Sequence, residues 1–551
     1  MSMITATRWV PKGYATQFPT RYVFDEDEYG RIAKLAKLRL DDAQEELAEA
    51  EADAQAASSQ SGKAKSKKKS SSAEGNAMQT QEDIDDDLKE YDLEHYDDDA
   101  EPEADAGATM GMFANVKSLT YHDSNAEDPY ITIQENEEED EEREELQILP
   151  TDSLVLAARL EDEVAHLEVY VYESGADNLY VHHDIMLPAI PLCVEWLNFA
   201  VGKPASGSNG EGNGNFVAIG TMDPDIEVWD LDIVDCMYPN AILGQGAEEA
   251  DSVDKPKKKK KKKRSRKPND AYHVDAVLSL AANRAHRNLL ASSSADATIK
   301  LWDLNTAKCA KSYTYHSDKV CAVEWNPREA TVLLSGSYDR TVVAADMRAP
   351  DAKPPTWGVE SDVETVRWNP HDPNYFYATT EGGIVYYHDA RMAPTDPSKT
   401  KPVWTLQAHD EAVSSFDVNP NIPGFLATGS TGKEVKLWNV QASGPSMVVS
   451  RDLDVGKVFS TSFATDQDIC FTLAVGGSKG KVQLWDTSTN LAVRRIFADR
   501  IPSGTEEVSE RLVGLVEYSS DSESGEDPGS DDEGGAEIEG EDEDEDEVMK
   551  E

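Results

Sequence analysis

Ser294–Asp303, SADATIKLWD, recurs along the chain as Ser337–Asp346 (SYDRTVVAAD), Ser430–Asn439 (STGKEVKLWN) and Ser478–Asp486 (SKGKVQLWD), with Met222–Asp230 (MDPDIEVWD) upstream. Weaker copies end around Tyr172, in LEVYVYE, and His388, in GGIVYYHD. With the Trp position as marker, the series runs Tyr172, Trp229, Trp302, Ala345, His388, Trp438 and Trp485, spaced 57, 73, 43, 43, 50 and 47 residues apart. Four of these spacings fall in the range of roughly 40–50 residues that one four-stranded sheet of a radial repeat occupies. The two long ones contain surface insertions: the Gly/Ser/Asn-rich Ala200–Asn215, and Gly244–Asp270, which carries a basic run.

Within a unit the period is that of strands, as in Ala276–Leu280, Asn288–Ser294 and Thr298–Leu304, separated by Asn, Asp, Gly and Ser turns. Seven such units predict an all-β, seven-bladed propeller over residues 151–518. His273, Ser292, Asp296 and Trp302 stand where WD-repeat β-propellers, which this sequence resembles, carry their hydrogen-bonded structural tetrad. The resemblance implies a structural role for these four residues, not a catalytic one. The fourth unit keeps His316, Ser335 and Asp339 but has Ala345 for the Trp; the sixth keeps His409, Thr428 and Trp438 but has Gly432 for the Asp; the fifth has Val359, Ala378, Gly382 and His388. Leu491–Phe497 or Arg511–Tyr518 is the expected closing strand of the last blade.

The remaining chain is different in composition. The 551 residues hold 53 Lys+Arg against 106 Asp+Glu, a net charge of −53. Residues 1–150 carry 15 basic and 38 acidic residues, net −23, and residues 519–551 carry 1 and 17, net −16, which leaves −14 for the 368 residues between. With aromatics at only 8%, the ends read as a mostly disordered acidic N-terminal arm (1–150), with a short helix near 29–57, and a disordered, Ser-containing acidic tail (519–551). The helix stripe is Ile32, Ala36, Ala43 and Leu47; Leu88, Tyr91, Leu93 and Tyr96 read as a short docking peptide. Such acidity disfavours nucleic-acid binding over the whole surface.

Cys193, Cys236, Cys309, Cys321 and Cys470 are widely spaced with no CxxC pair, which suggests neither a disulfide framework nor a cysteine zinc site. The longest apolar stretch, Ile185–Val194, is interrupted by Pro188 and Pro191 and falls short of the roughly 20 residues of a membrane span. A soluble intracellular protein is expected. No GxxxxGK[ST], HExxH or GxSxG string occurs, and the adjacent His182 and His183 would face opposite sides of a strand, so no enzyme, cofactor, metal or small-molecule substrate is expected.

Segments outside the repeat, WVPKG (9–13), DLKEYDLEHYDDD (87–99), DPYITI (128–133), YVHHDI (180–185), VEWLNF (194–199) and VWDLDIVD (228–235), resemble the periodic tryptophan protein 1 family of nuclear and nucleolar WD-repeat proteins. The resemblance implies a scaffold in ribosome biogenesis whose partners are assembly factors and the ribosomal RNA of large-subunit precursors. The alternative is a histone-binding chromatin regulator at ribosomal gene loci. Lys255–Lys267 holds 11 positive charges in 13 residues, and its Lys257, Lys258, Lys259, Lys260, Lys261, Lys262, Lys263, Arg264, Arg266 and Lys267 read as a nuclear localisation signal, an RNA-phosphate contact, or both. Ser519, Ser520, Ser522, Ser524 and Ser530 lie in acidic surroundings suited to phosphorylation.

Overall fold

A computed structural model describes residues 2–24, 28–32, 143–201, 214–244, 268–349, 352–501 and 510–514. Seven four-stranded antiparallel sheets form the blades of a propeller. From inner to outer strand, blade 1 is Ser2–Val10, Ser153–Glu161, Val164–Glu173 and Asn178–Leu187; blade 2 is Pro191–Leu197, Phe216–Thr221, Ile226–Asp230 and Ala241–Leu243. Blade 3 is Val277–Ala282, Leu289–Ser294, Ile299–Asp303 and Lys308–Tyr313; blade 4 is Val320–Trp325, Val332–Ser337, Thr341–Asp346 and Thr356–Gly358. Blade 5 is Val363–Trp368, Tyr375–Thr380, Ile384–Asp389 and Trp404–Gln407; blade 6 is Ser415–Val418, Phe425–Gly429, Glu434–Gln441 and Gly444–Asp452. Blade 7 is Val458–Phe463, Thr472–Gly477, Val482–Asp486 and Arg511–Gly514. All seven marker residues, Tyr172 to Trp485, fall on third strands.

The hydrophobic core is divided among the blade junctions. One buried cluster lies between each neighbouring pair, from Leu156, Val169, Trp196 and Ile219 between blades 1 and 2 to Phe425, Val458, Phe463 and Leu473 between blades 6 and 7. The cluster that joins Ile4, Trp9 and Val155 of blade 1 to Ala474, Val482 and Leu484 of blade 7 closes the ring. Closure covers the faces that the first and last blades of an open array would expose, while the inner strands remain short, protected edges around the channel.

One interlocking contact recurs at these junctions. A Cβ on Gly220, Gly336 or Gly429, each on a second strand, would lie 2.8, 2.6 and 2.5 Å from Val277, Val363 and Val458 on the next blade's inner strand. At the closing junction Gly476 meets Ile4 at 2.5 Å in the same way. The missing side chain lets a β-branched residue seat against the neighbouring backbone. The inner strands of six blades also carry a β-bulge near their start, between Ile4/Ala6, Pro191/Cys193, Val277/Ser279, Val320/Ala322, Val363/Thr365 and Val458/Ser460.

The propeller therefore does not begin at residue 151. Ser2–Val10, expected to belong to the acidic arm, pairs with Ser153–Glu161 as the inner strand of blade 1, and Thr20–Arg21 adds a short parallel pairing to Ile233–Val234. The partner strand is some 150 residues away, beyond the reach of local periodicity. At the other end Arg511–Gly514 is the closing strand, pairing with Gln483–Asp486. Leu491–Phe497 is an α-helix instead: Asn490 caps it by accepting from the Ala492 and Val493 N–H groups, and Val493 and Phe497, four residues apart, are buried. Residues 28–32 are helical; the rest of the expected helix, the docking peptide and the tail lie outside the described residues.

Candidate functional site

In blade 3 the strands bring His273, Ser292, Asp296 and Trp302 into one chain. The Trp302 indole N–H donates to Ser292 Oγ at 2.8 Å, Ser292 Oγ is 2.7 Å from His273 Nε2, and His273 Nδ1 is 3.1 Å from Asp296 Oδ2. Asp296 also accepts from the Thr298 hydroxyl at 2.6 Å and from the Val274 N–H at 3.1 Å. Burial raises the Asp296 carboxyl, but the hydrogen bonds from His273, Thr298 and Val274 outweigh it and hold the pKa at about 2. Burial depresses His273, so the imidazole is neutral, with Nδ1–H donated to Asp296 and Nε2 accepting from Ser292. Every donor in the chain has an acceptor, and none points to solvent.

Blade 4 repeats the chain without its indole: His316 Nε2 is 2.8 Å from Ser335 Oγ and Nδ1 is 3.2 Å from Asp339. With Ala345 in the Trp position, Trp357 on the outer strand is buried among Ala344, Leu334 and Phe376. Blade 6 keeps the other half: Trp438 donates to Thr428 Oγ1 at 2.9 Å, and that oxygen is 2.8 Å from His409 Nε2. In blades 2 and 7 the marker Trp instead finds a glutamate, Trp229 to Glu227 at 3.2 Å and Trp485 to Glu510 at 3.1 Å.

A second ring of residues surrounds the central channel. At one equivalent position of the inner strands the blades carry Arg8, Glu195, Ala281, Glu324, Arg367, Asp417 and Ser462 in turn. The three acids sit on alternate blades and each accepts a backbone N–H of the following blade: Glu195 from Ala282 (3.3 Å), Glu324 from Trp368, and Asp417 from Phe463 (2.7 Å). Arg8 and Arg284 both pair with Glu195, at 2.9 and 2.8 Å. Arg367 reaches Asp417 at 3.8 Å. Burial lifts Glu324 to about 7 against the opposing pull of Arg367, and lifts Asp417 for the same reason.

The residues that follow form an aromatic layer. Trp9, Trp325 and Trp368 donate their indole N–H to the backbone oxygens of Ser462, Ala281 and Glu324 on the preceding blade, at 3.0, 3.0 and 3.3 Å. Trp196 donates to Asn215 at 3.0 Å. Trp325, Trp357 and Trp368 are all buried. The signal for both layers is legible in sequence: RWVP (8–11), EWNP (324–327) and RWNP (367–370) put a charge before a Trp at or next to the end of a strand.

The expectation for His182 and His183 is overturned. A β-bulge, where Val169 and Tyr170 face His183 and Val181, turns both rings together, with the two Nδ1 atoms 2.8 Å apart and His182 Nε2 3.0 Å from Leu146 O. Burial, helped by His182, lowers His183 to about 4. Among the described residues no group of three or more His, Cys, Asp or Glu is placed to hold a metal, all five cysteines are free, and no helix is long and apolar enough to cross a membrane. Lys257–Lys263, Arg264, Arg266 and Lys267, and the five tail serines, lie outside the described residues.

Four-stranded blades in a closed ring, with a His–Ser–Asp–Trp chain complete in blade 3 and partial in blades 4 and 6, define a WD-repeat β-propeller, and the profile of the family described as WD domain, G-beta repeat matches residues 271–303, 307–343 and 400–439. An uncharacterized WD repeat-containing protein of Schizosaccharomyces pombe is 51% identical over 96% of this chain and 97% of its own. Periodic tryptophan protein 1 of Saccharomyces cerevisiae is 40% identical over 91% of this chain and 90% of its own; its Drosophila melanogaster homolog is 31% identical over 90% and 96%. The chain belongs to the periodic tryptophan protein 1 family.

Proposed function

We propose that the protein is a non-enzymatic scaffold of ribosome biogenesis, acting in the assembly of large-subunit precursors and the processing of their ribosomal RNA. The observation that carries this reading is the similarity to periodic tryptophan protein 1, 40% over 91% of the chain, which is more than the blades alone occupy. The chemistry of the blades supports a binding role: His273, His316 and His409 are held in structural hydrogen bonds, and burial keeps His409 at about 4, far from a general base poised near neutrality. On this reading the protein works in the nucleus and nucleolus. The Lys255–Lys267 run serves import and contacts RNA phosphates, and Ser519, Ser520, Ser522, Ser524 and Ser530 are phosphorylated to tune the charge of the tail.

The test is to purify the tagged full-length protein at moderate salt, with and without RNase, and to resolve its company on a sucrose gradient. Co-migration with large-subunit precursors and their RNA is expected, with RNase releasing part of it. Migration with nucleosomes, or as a free protein with histones, would overturn the scaffold reading in favour of the chromatin regulator.

A further inference from the structure

The charged ring divides the channel into two chambers of about 470 Å³ each, which share Arg8, Arg284, Glu324, Trp325, Pro327 and Arg367 as their common wall. They differ in chemistry. The chamber on the side where the inner strands start is lined by small and polar groups such as Thr7, Ser279, Ser414 and Ser460. The chamber where they end has a rim of Pro11, Pro327, Pro370 and Pro420 over Trp196, Trp325 and Trp368. Its volume lies within the roughly 300–1,000 Å³ typical of binding pockets.

The acids and the arginines of the ring are not equally presented. Glu195 is 5% and Asp417 20% exposed, and Glu195, Glu324 and Asp417 spend oxygens on backbone N–H groups of the next blade. The Arg284, Arg8 and Arg367 side chains are 45%, 35% and 27% exposed. Arg8 and Arg284 are committed to Glu195, and Arg284 also lies 5.1 Å from the Trp196 ring. Arg367 is different: among the described residues its contacts are long, 3.8 Å to Asp417 and 3.4 Å to the Val366 carbonyl, which leaves donors of its five-donor guanidinium for a ligand at an open cavity. Such a fork is matched by a carboxylate, which it binds through two parallel hydrogen bonds.

We propose that the Trp/Pro-rimmed chamber is a docking pocket for an acidic, apolar-flanked peptide segment of a partner protein, with Arg367 receiving the carboxylate. The rim prolines, of which Pro327 and Pro420 are exposed, take the apolar flank. A partly protonated Glu324 behind Arg367 leaves the cation less fully neutralised. Single-stranded RNA fits less well: the tryptophans offer no free face for base stacking, since they are buried, and a chain of net charge −53 repels a polyanion more than one carboxylate. The pocket is read from the channel alone, so it stands or falls separately from the particle the protein joins.

The experiment is to pan a random-peptide display library against the full-length protein and against its Arg367→Gln variant, then to measure the selected peptides by fluorescence anisotropy. The wild type should select Asp or Glu flanked by Leu, Phe or Trp. Binding should fall at least tenfold in Arg367→Gln and in an Asn-for-Asp peptide, while Arg340→Gln, on an exposed pair with Asp362, binds as the wild type. If Arg367→Gln does not fold, Arg367→Lys replaces it, and hydrogen exchange on the wild type should show new protection at residues 282–285 and 365–370 when peptide is added. No acidic enrichment, the same consensus from the variant, or displacement of the peptide by a decauridylate that itself binds more tightly through Arg367 would each overturn the proposal.

Discussion

Blades 3 and 5 have the same strand order and matching bulges on their inner strands, yet they are held by different forces. Blade 3 links His273, Ser292, Asp296 and Trp302 in an unbroken chain of hydrogen bonds. Blade 5 has His388 in the Trp position, 1% exposed, with no partner for either ring nitrogen among the described residues. There the stabilising contacts are aromatic: His388 stacks on Phe376 at 5.2 Å, Phe376 meets Trp357 and Trp368, and Tyr387 stacks on Tyr375 and Trp404 at 5.1 and 5.0 Å. Ring pairs of this kind contribute about 0.5–1.5 kcal/mol each beyond their burial. The backbone of a blade thus needs a filled interior; a polar chain or an aromatic stack supplies it.

Trp302→Ala should damage blade 3 most, because it removes both the indole donor and the largest side chain of the junction between blades 2 and 3. A loss of about 3–5 kcal/mol is expected in urea denaturation. Ser292→Ala should follow, at about 2–4 kcal/mol, because it leaves both His273 Nε2 and Trp302 Nε1 without a partner. The matching Ser335→Ala in blade 4 strands only His316 and should cost about half as much. An equal cost in both blades would show that the indole bond contributes nothing.

Acid should weaken both blades, since burial lowers His273 as well as His388. Burial lowers His388 to about 4, whereas an exposed histidine titrates at about 6.5. The unfolded chain therefore binds the proton first, so this group's contribution is fully present above pH 6.5 and is lost as pH falls towards 4, by an amount on the order of 3 kcal/mol. His409 and His183, also at about 4, contribute in the same direction. His388→Phe should flatten the decline of the thermal midpoint between pH 7 and 4 without abolishing it. At neutral pH the same variant should show the smallest effect of the series, a gain of about 1 kcal/mol from replacing an unsatisfied buried imidazole by a ring that keeps the stack.

The number of blades, the third-strand markers and the four residues of the blade 3 chain are all legible in short strings repeated at a near-constant interval, because strand alternation and turn chemistry are local. The inner strand of blade 1 is legible too: Ile4, Arg8, Trp9 and Pro11 have the spacing of Val363, Arg367, Trp368 and Pro370. Its position ahead of a long acidic segment obscures it. The meeting of His182 with His183 is not legible, since it depends on a bulge that alternation alone does not register.

Local sequence thus sets the repeat: which residues form strands, where they turn, and which apolar positions recur to face a neighbouring blade. How the ring closes, and what its axis contains, is settled only by the assembled propeller. Residues 2–10 find Ser153–Glu161 on one side and Gly476 on the other, a pairing between distant parts of the chain that no local preference encodes. Closure then carries Arg8 to Glu195, Arg367 towards Asp417, and three acids onto the N–H groups of the blades beside them. The difference is one of range: hydrogen bonding within a blade acts between neighbours in sequence, whereas the charges of the channel meet only when seven blades share an axis.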